Sequence, residues 1–285
     1  MVIILQLLFN GIATGAIYSL IALGLVMILR ALDLINFAHG DLVMVGGFLA
    51  ITLNVSLGLP FPLAFFAAVL SVGALGLLIE RLCIRTIKGT SLMNVITSTI
   101  GVGLILQTWG LVIYGGEAIR LPHPVGEEFL NVFGLKIVPQ QLIIISVTLV
   151  LMLVLQAFFY LTRLGTAMRA VMNDRETASL MGINVQFMTV LTFGISIALG
   201  GAAGVLVAPM TFVTFNMGII VIKAFAALIL GGMFSFGGAI VGGVLLGVFE
   251  NFVRGFVSSA YGDTLIYTLI ILVLILKPEG LFATK

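Results

Sequence analysis

Three groups of polar residues interrupt an otherwise apolar chain, and their spacing limits the chemistry they can do. The stretch Asn36-Phe37-Ala38-His39-Gly40-Asp41 places an amide, an imidazole and a carboxylate between two apolar runs, where helix ends need partners for free backbone groups. His39 and Asp41 stand two apart and would not share a helix face. That argues against a proton relay built from the pair and leaves capping or packing as the plain alternative. In the second group, Asn173 followed three residues later by Glu176 forms a capping-box-like start. It predicts a short helix over 174–181, with Ala178 and Met181 as a small apolar face and Gly182 in a left-handed C-terminal cap. Such a helix suits docking into a groove on a cytoplasmic partner, and an ordinary solvated connector is the alternative. The third group is a pair of stripes. Asn94, Thr97, Ser98, Gly101 and Thr108 fall within about 100° of arc at helical periodicity, as do Gly11, Thr14, Gly15, Tyr18 and Ser19. Polar stripes on apolar helices face protein or water rather than lipid. A solute path along Tyr18, Ser19, Asn94, Thr97, Ser98 and Thr108 therefore competes with simple helix packing.

Covalent chemistry finds no footing. The sequence has no GxxxxGK[ST] phosphate loop, no HExxH and no nucleophile elbow, and its one cysteine, Cys83, cannot form an internal disulfide. No Cys/His cluster has zinc-ligand spacing. No metal or cofactor is expected on this chain, and any ATP would be hydrolysed elsewhere.

The elements that must carry these groups follow from composition. The 285 residues are 61% hydrophobic and 8% charged, against about 25% charged in soluble domains, so the chain belongs in lipid. A span needs roughly 20 apolar residues, and apolar runs place spans near 3–29, 40–57, 61–80, 91–115, 140–161, 188–212, 219–234, 236–253 and 263–276. The fold expected is an all-α polytopic bundle of about eight or nine transmembrane helices forming a single domain over 1–285. The segment 219–253 reads either as two short spans or as one broken hairpin. The first run has no Lys or Arg before it, so it reads as a retained span and not as a signal peptide.

Lys and Arg in short loops favour the cytoplasmic side. Alternation puts Arg30, Arg81, Arg85, Lys88, Arg163, Arg169, Arg175, Lys277 and Lys285 inside against Arg120, Lys136 and Arg254 outside. The N-terminus is then external, the loop 116–139 external and the loop 163–187 cytoplasmic. Net charge is only +2, with no basic patch for nucleic acid. Small residues at four-residue spacing, such as Gly11/Gly15 and Ser196/Gly200/Gly204, predict tight helix packing in lipid.

The sequence resembles the LivH-type permeases of branched-chain amino acid ABC importers. The likeness runs through GIATGAIYSLIALG (11–24), INFAHGDLVMVGGF (35–48), RLGTAMRAVMNDRETASLMGINV (163–185), LGGMFSFGGAIVGG (230–243) and KPEGLF (277–282). It implies a multi-pass protein of the bacterial inner membrane that works with a second, homologous permease, two cytoplasmic ATPases holding ATP and magnesium, and an external solute-binding protein. By position it makes 174–182 the ATPase-coupling helix, involving Asn173, Asp174, Glu176, Ala178, Met181 and Gly182. It also makes Asn36, His39, Gly40 and Asp41 a signature break. An inverted internal repeat is a further expectation, with LVMVGG at 42–47 and LILGGM at 228–233 as its trace.

Related permeases carry urea or short amides, so that reading stands beside branched-chain amino acids. An ion-coupled secondary transporter is a third reading. It would place carboxylates or unwound backbone near mid-membrane, whereas Asp41, Glu80 and Glu250 sit near predicted span ends. An intramembrane enzyme lacks any paired acid/base or nucleophile set.

Overall fold

The computed structural model describes residues 2–87, 92–126, 128–132, 135–258, 261–277 and 280–282. Lys88 and Lys285 of the charge pattern, and Pro278 and Glu279 of KPEGLF, lie outside them. α1 (Val2–Leu32) is an unbroken run of 31 residues, about 46 Å at 1.5 Å per residue. α2 (His39–Ile51) continues through a wider π turn at Thr52–Ser56. Pro60 and Pro62 bracket the start of α3 (Phe61–Ile79), where proline's missing N–H costs nothing. α4 is Leu92–Tyr114 and α5 Pro139–Leu161. Two short helices follow, α6 (Arg163–Asn173) and α7 (Arg175–Leu180). The chain then forms α8 (Val185–Val207), α9 (Ile220–Gly231), α10 (Phe236–Phe256) and α11 (Gly262–Leu276).

Among the described residues, seven helices are long and apolar enough to cross a membrane, and Met217–Gly231 and Gly262–Leu276 are shorter apolar helices. The nine expected runs are therefore all helical, and the ambiguous 219–253 resolves into a short α9 and a full-length α10. One element went unexpected. Between α4 and α5 the strands β1 (Leu130–Val132) and β2 (Leu135–Ile137) form an antiparallel hairpin with Asn131 opposite Lys136.

α1, α2 and α8 form the centre. α1 is buried over most of its length, and α4 and α5 expose residues such as Leu104, Ile105, Leu149 and Val154 at the periphery. Lipid supplies no hydrophobic drive between helices, so contact relies on close backbone approach. α1 and α10 run antiparallel, with Gly11 and Gly15 lying on Gly247 and Val244, and Gly243 on Ser19. Gly204 of α8 lies on the Val43 carbonyl of α2, and Gly238 and Gly242 of α10 lie on Gly231 and Ala227 of α9. The small-residue pairs seen in the sequence are thus spent within the chain.

The packing repeats under the exchange of α1–α4 for α8–α11. α1 packs on α10 as α8 packs on α3, α2 on α8 as α9 on α1, and α2 on α4 as α9 on α11. α1 ends, and α8 begins, beside α6, so the two halves run in opposite directions. This is an inverted repeat. LVMVGG lies within α2, whereas LILGGM takes in the last four residues of α9 and then Gly232 and Met233 beyond its end, so the two do not occupy matching positions.

Gly204→Ala should lower the melting temperature of the detergent-purified chain, because its methyl would meet a backbone carbonyl that cannot rotate away. Gly101→Ala meets open space and should hold or raise it, a helical glycine costing about 0.5–1 kcal/mol relative to alanine. Equal shifts for the two variants would contradict the packing described.

Candidate functional site

The signature stretch is the first of two breaks. After α1 the chain turns at Asp33, which adopts left-handed backbone (φ 53°). The Asn36 side-chain oxygen accepts from the Ala38 N–H at 3.1 Å, and its backbone oxygen accepts from the His39 N–H at 3.3 Å. This tight turn sends the chain back along α1, so that the His39 ring rests against Gly24, eight residues before the end of that helix. His39 is fully buried between Gly24 and Gly200, and neither ring nitrogen has a hydrogen-bond partner among the described residues. It packs three helices together, and no acid or base reaches it.

Asp41 faces the other way. Its Oδ1 accepts from Gln107 Nε2 at 2.8 Å, and the carboxylate lies against Gly103 of α4 and Gly218 at the head of α9. Thr99 Oγ1 accepts from the Phe37 N–H at 3.4 Å. The second break, 208–219, is the counterpart of the first in the other half. It is irregular apart from the short turn Met217–Ile219, and Val213 exchanges backbone hydrogen bonds with Ile119 at 2.8 and 3.1 Å. Gly40 packs beneath the Gly218 carbonyl and Val221. The positive N-terminal ends of the half-helices α2 and α9 therefore meet, with the Asp41 carboxylate between them.

The inward face of α4 is thus Thr99, Gly103 and Gln107, a four-residue spacing legible in the sequence but passed over for its neighbour. Of the stripe expected to line a path, Asn94, Thr97 and Thr108 are exposed and Ser98 is half-buried. The Thr97 and Thr108 hydroxyls donate to the Met93 and Leu104 carbonyls of their own helix at 2.9 and 2.8 Å. Within this chain these four do not join Tyr18 and Ser19. Periodicity located a stripe but could not say which side of the helix looked inward.

Tyr18 leads to a cavity of 520 Å³ bounded by α1, the second break, α5, α9, α10 and α11, towards the hairpin end of the bundle. Its hydroxyl donates to Glu250 Oε2 at 2.6 Å. Lys223 Nζ contacts Glu250 Oε1 at 2.7 Å and Asp263 Oδ1 at 2.8 Å, and an Arg254 Nη contacts the same two oxygens at 2.8 and 2.9 Å. Two cations and two carboxylates close a ring of alternating sign with no net charge. The Glu250 side chain is 4% exposed, whereas Arg254 and Asp263 are 40% and 56% exposed, so one side of the ring opens on the cavity. Ile17, Ile144 and Phe212 supply an apolar wall. Ser19 lies outside the cavity lining. It is fully buried, and its hydroxyl donates to Gly15 and to Ile240 of α10, both at 2.8 Å. Glu250 and Asp41, expected near span ends, are both buried. Sequence reasoning missed the ring because its members lie on three helices; Lys223 inside an apolar run was the available signal.

At the opposite end, Thr162 caps α6 by accepting from the Gly165 N–H at 2.9 Å. α6 was not anticipated, although Gly165, Met168, Val171 and Met172 form its buried face at helical spacing. Its helical backbone runs through Asn173, so Asn173 cannot cap the next helix. Asp174 caps α7, accepting from the Glu176 and Thr177 N–H groups at 2.9 and 3.2 Å and from the Thr177 hydroxyl. The hydroxyl bond, then the backbone bonds, hold its carboxyl below the usual carboxylate range. The cap is therefore one residue later than expected, and the helix ends at Leu180. Gly182 adopts φ +80°, with the Ile183 N–H on the Ala178 carbonyl at 3.1 Å and the Gly182 N–H on Ser179 at 3.0 Å. That is a Schellman cap, where a left-handed glycine was expected. The expected apolar face is corrected: Ala178 is 4% exposed and turned into the chain's own core, while Leu180 and Met181 are 83% and 79% exposed. Burial lowers the pKa of Arg175, an effect opposed by the Asp33 carboxylate.

KPEGLF has a structural role too. The Leu281 and Phe282 N–H groups bond the Leu230 and Gly231 carbonyls at 2.8 and 3.2 Å, giving partners to the last carbonyls of α9.

Comparison with known proteins agrees with this architecture. The chain is 37% identical to the high-affinity branched-chain amino acid permease protein BraD of Pseudomonas aeruginosa, covering 97% of this chain and 95% of that one. It is 33% identical to LivH of Salmonella typhimurium, covering 97% and 94%, and 29% identical to LivM of Escherichia coli, covering 93% and 67%. The solved structure of PsaBC from Streptococcus pneumoniae in complex with Fab shares the fold, with a TM-score of 0.57 at 18% identity over 98% of this chain and 93% of that one. The family model described as branched-chain amino acid transport system / permease component matches residues 7–274, and the chain belongs to that permease family.

Proposed function

We propose that this chain is one permease subunit of an ATP-driven importer in a bacterial inner membrane and carries branched-chain or closely related small amino acids. The observation that carries the reading is the cavity beside Tyr18. An amino acid presents a carboxylate, an ammonium and a side chain, and the cavity offers cations, carboxylates and an apolar wall within one space. A zwitterion can exchange partners with a neutral ring without leaving a net charge buried, whereas an isolated ion would leave one uncompensated at considerable cost. Urea could use the hydrogen bonds but not the paired charges, and none of the relatives named above is a urea permease or an ion-coupled carrier.

Conformational work drives the transport in this reading. Separate ATPases holding ATP and magnesium grip α7 through Leu180 and Met181. Its motion reaches the first break through Arg175 and Asp33, and the two half-helices rock between outward- and inward-open arrangements. An external solute-binding protein delivers substrate at the hairpin end. A homologous permease subunit covers the Asn94, Thr97, Ser98 and Thr108 face of α4, so that this stripe lines the path where the two subunits meet.

Three measurements bear on this reading. Arg254→Gln and Tyr18→Phe should leave membrane abundance unchanged while leucine uptake by the reconstituted importer falls on the order of tenfold or more, the loss of one charged contact being worth that much. Wild-type uptake in both would reduce the ring to a structural clamp. Leu180→Glu and Met181→Glu should spare folding and weaken co-purification of the ATPases. Ala178→Glu should instead lower the stability of the chain itself, since it buries a charge; normal ATPase retention in the two exposed variants would remove α7 from the coupling surface. In a Cys83→Ser background, a cysteine at Thr177 should label only from the cytoplasm and one at Gly126 only from outside, and reversed accessibility would invert the topology.

A further inference from the structure

A second cavity, of 670 Å³, lies at the other end of the bundle between α1, α5, α6 and the start of α10. Two arginines line it. The Arg30 guanidinium stands 5.4 Å from the centre of the Phe236 ring, and that of Arg169 stands 4.5 Å from the centre of Tyr160. Among the described residues neither forms an ion pair, and Arg169 Nε is buried without a hydrogen-bond partner. A guanidinium attracted to a ring face makes no conventional hydrogen bond there, so its N–H groups remain available to an anion. The first turn of α10 meets the same space. Ser235 caps it by accepting from the Gly238 N–H at 3.0 Å, and Gly237, which lines the cavity, has nothing within reach of an added Cβ. The positive end of that helix therefore adds to the field of two unpaired cations. Gln156, Thr166 and Asn173 add polar groups to the lining, and Leu23, Leu155 and Ile240 of α1, α5 and α10 supply an apolar wall.

We infer that this cavity binds a phosphate-bearing anion, held by Arg30 and Arg169 against the start of α10. Guanidinium edges match phosphate oxygens in paired, charge-assisted hydrogen bonds. The apolar wall is suited to the acyl chains of an anionic glycerophospholipid, and a free phosphate would use the same two arginines without it. Thr166 and Asn173 border the cavity, so the ligand would tie α6 to α1 and α10 directly behind the coupling helix. The site is separate from the Tyr18 cavity and does not depend on which solute passes there.

The test is thermal unfolding of the detergent-purified full chain titrated with dioleoylphosphatidylglycerol, with dioleoylphosphatidylcholine, or with inorganic phosphate at constant ionic strength. Phosphatidylglycerol should raise the midpoint by several degrees and phosphatidylcholine should not. The shift should vanish in Arg30→Gln/Arg169→Gln, and in Arg30→Lys/Arg169→Lys it should survive with the half-saturating concentration raised on the order of tenfold. Gly237→Leu, which fills the space and leaves both arginines in place, should abolish it as well and stands in if the glutamine pair does not fold. A shift with inorganic phosphate alone, lost in the same variants, would support the site and identify its ligand as the free anion. An equal shift with phosphatidylcholine, a shift undiminished in the variants, or no shift with either phosphate source would overturn the inference.

Discussion

A polypeptide inside a bilayer must satisfy its own backbone, because hydrocarbon offers no hydrogen bonds and each unpaired group costs about several kcal/mol. This chain breaks two of its helices and depends on how those breaks are sealed. At the first, Asn36 supplies both a side-chain and a backbone acceptor, and Thr99 reaches across from α4. At the second, Val213 borrows a short strand partner, Ile119, from the connection that follows α4. KPEGLF then supplies N–H groups to the carbonyls at the far end of α9. Apart from Asn36, the sealing groups come from outside the broken segments, which ties the breaks to the rest of the bundle.

Glycine makes that sealing possible. The two half-helices meet where Gly40 lies under the Gly218 carbonyl, and α8 reaches α2 by setting Gly204 on the Val43 carbonyl. Contacts of this kind are set by backbone positions and not by side chains that can turn, so the packed helices have little room to shift against one another. In the proposed transport cycle, movement would concentrate at the hinges where the chain is irregular, at 33–38 and 208–219. An inverted repeat places those two hinges as counterparts and joins them through Asp41 and Gly218.

Much of this was legible in the sequence. Apolar runs located every span, because hydropathy and length are properties of a segment alone. The Gly182 cap was legible for the same reason, being decided by a left-handed glycine and its immediate neighbours. Which way a helix faces was harder to read. Asn94, Thr97, Ser98 and Thr108 were grouped correctly, but Thr99, Gly103 and Gln107 on the next face are the ones that meet α2. Ala178 on α7 and Met181 just past its end stand three apart, yet one is buried and the other exposed, since α7 lies on α6 and α8. The charged ring was out of reach for a related reason: Tyr18, Lys223, Glu250, Arg254 and Asp263 span 246 positions of sequence and meet only once α1, α9, α10 and α11 are packed.

That ring also bears on how a rigid bundle could respond to a small solute. Glu250 is nearly sealed from solvent and is held by Tyr18, Lys223 and Arg254 together, whereas Asp263 is half open. Lys223 rides on α9, the half-helix that follows the second break; Arg254 and Glu250 sit on α10; and Asp263 sits on α11. On the proposed reading, a zwitterion entering the cavity would meet Arg254 and Asp263 first, the two more exposed members of the ring. Were they to turn to the solute, Lys223 would keep Glu250 but give up part of its hold on Asp263, loosening one tie between α9 and α11. The coupling energy available is modest, because exchange replaces one set of ion pairs with another. Its effect would be directed at the helix whose N-terminus meets α2, and the Asp33 carboxylate in the break before α2 acts electrostatically on Arg175 of α7. Solute and ATPase would then bias the same pair of hinges from opposite ends of the bundle, which is what reciprocal coupling between two sites requires.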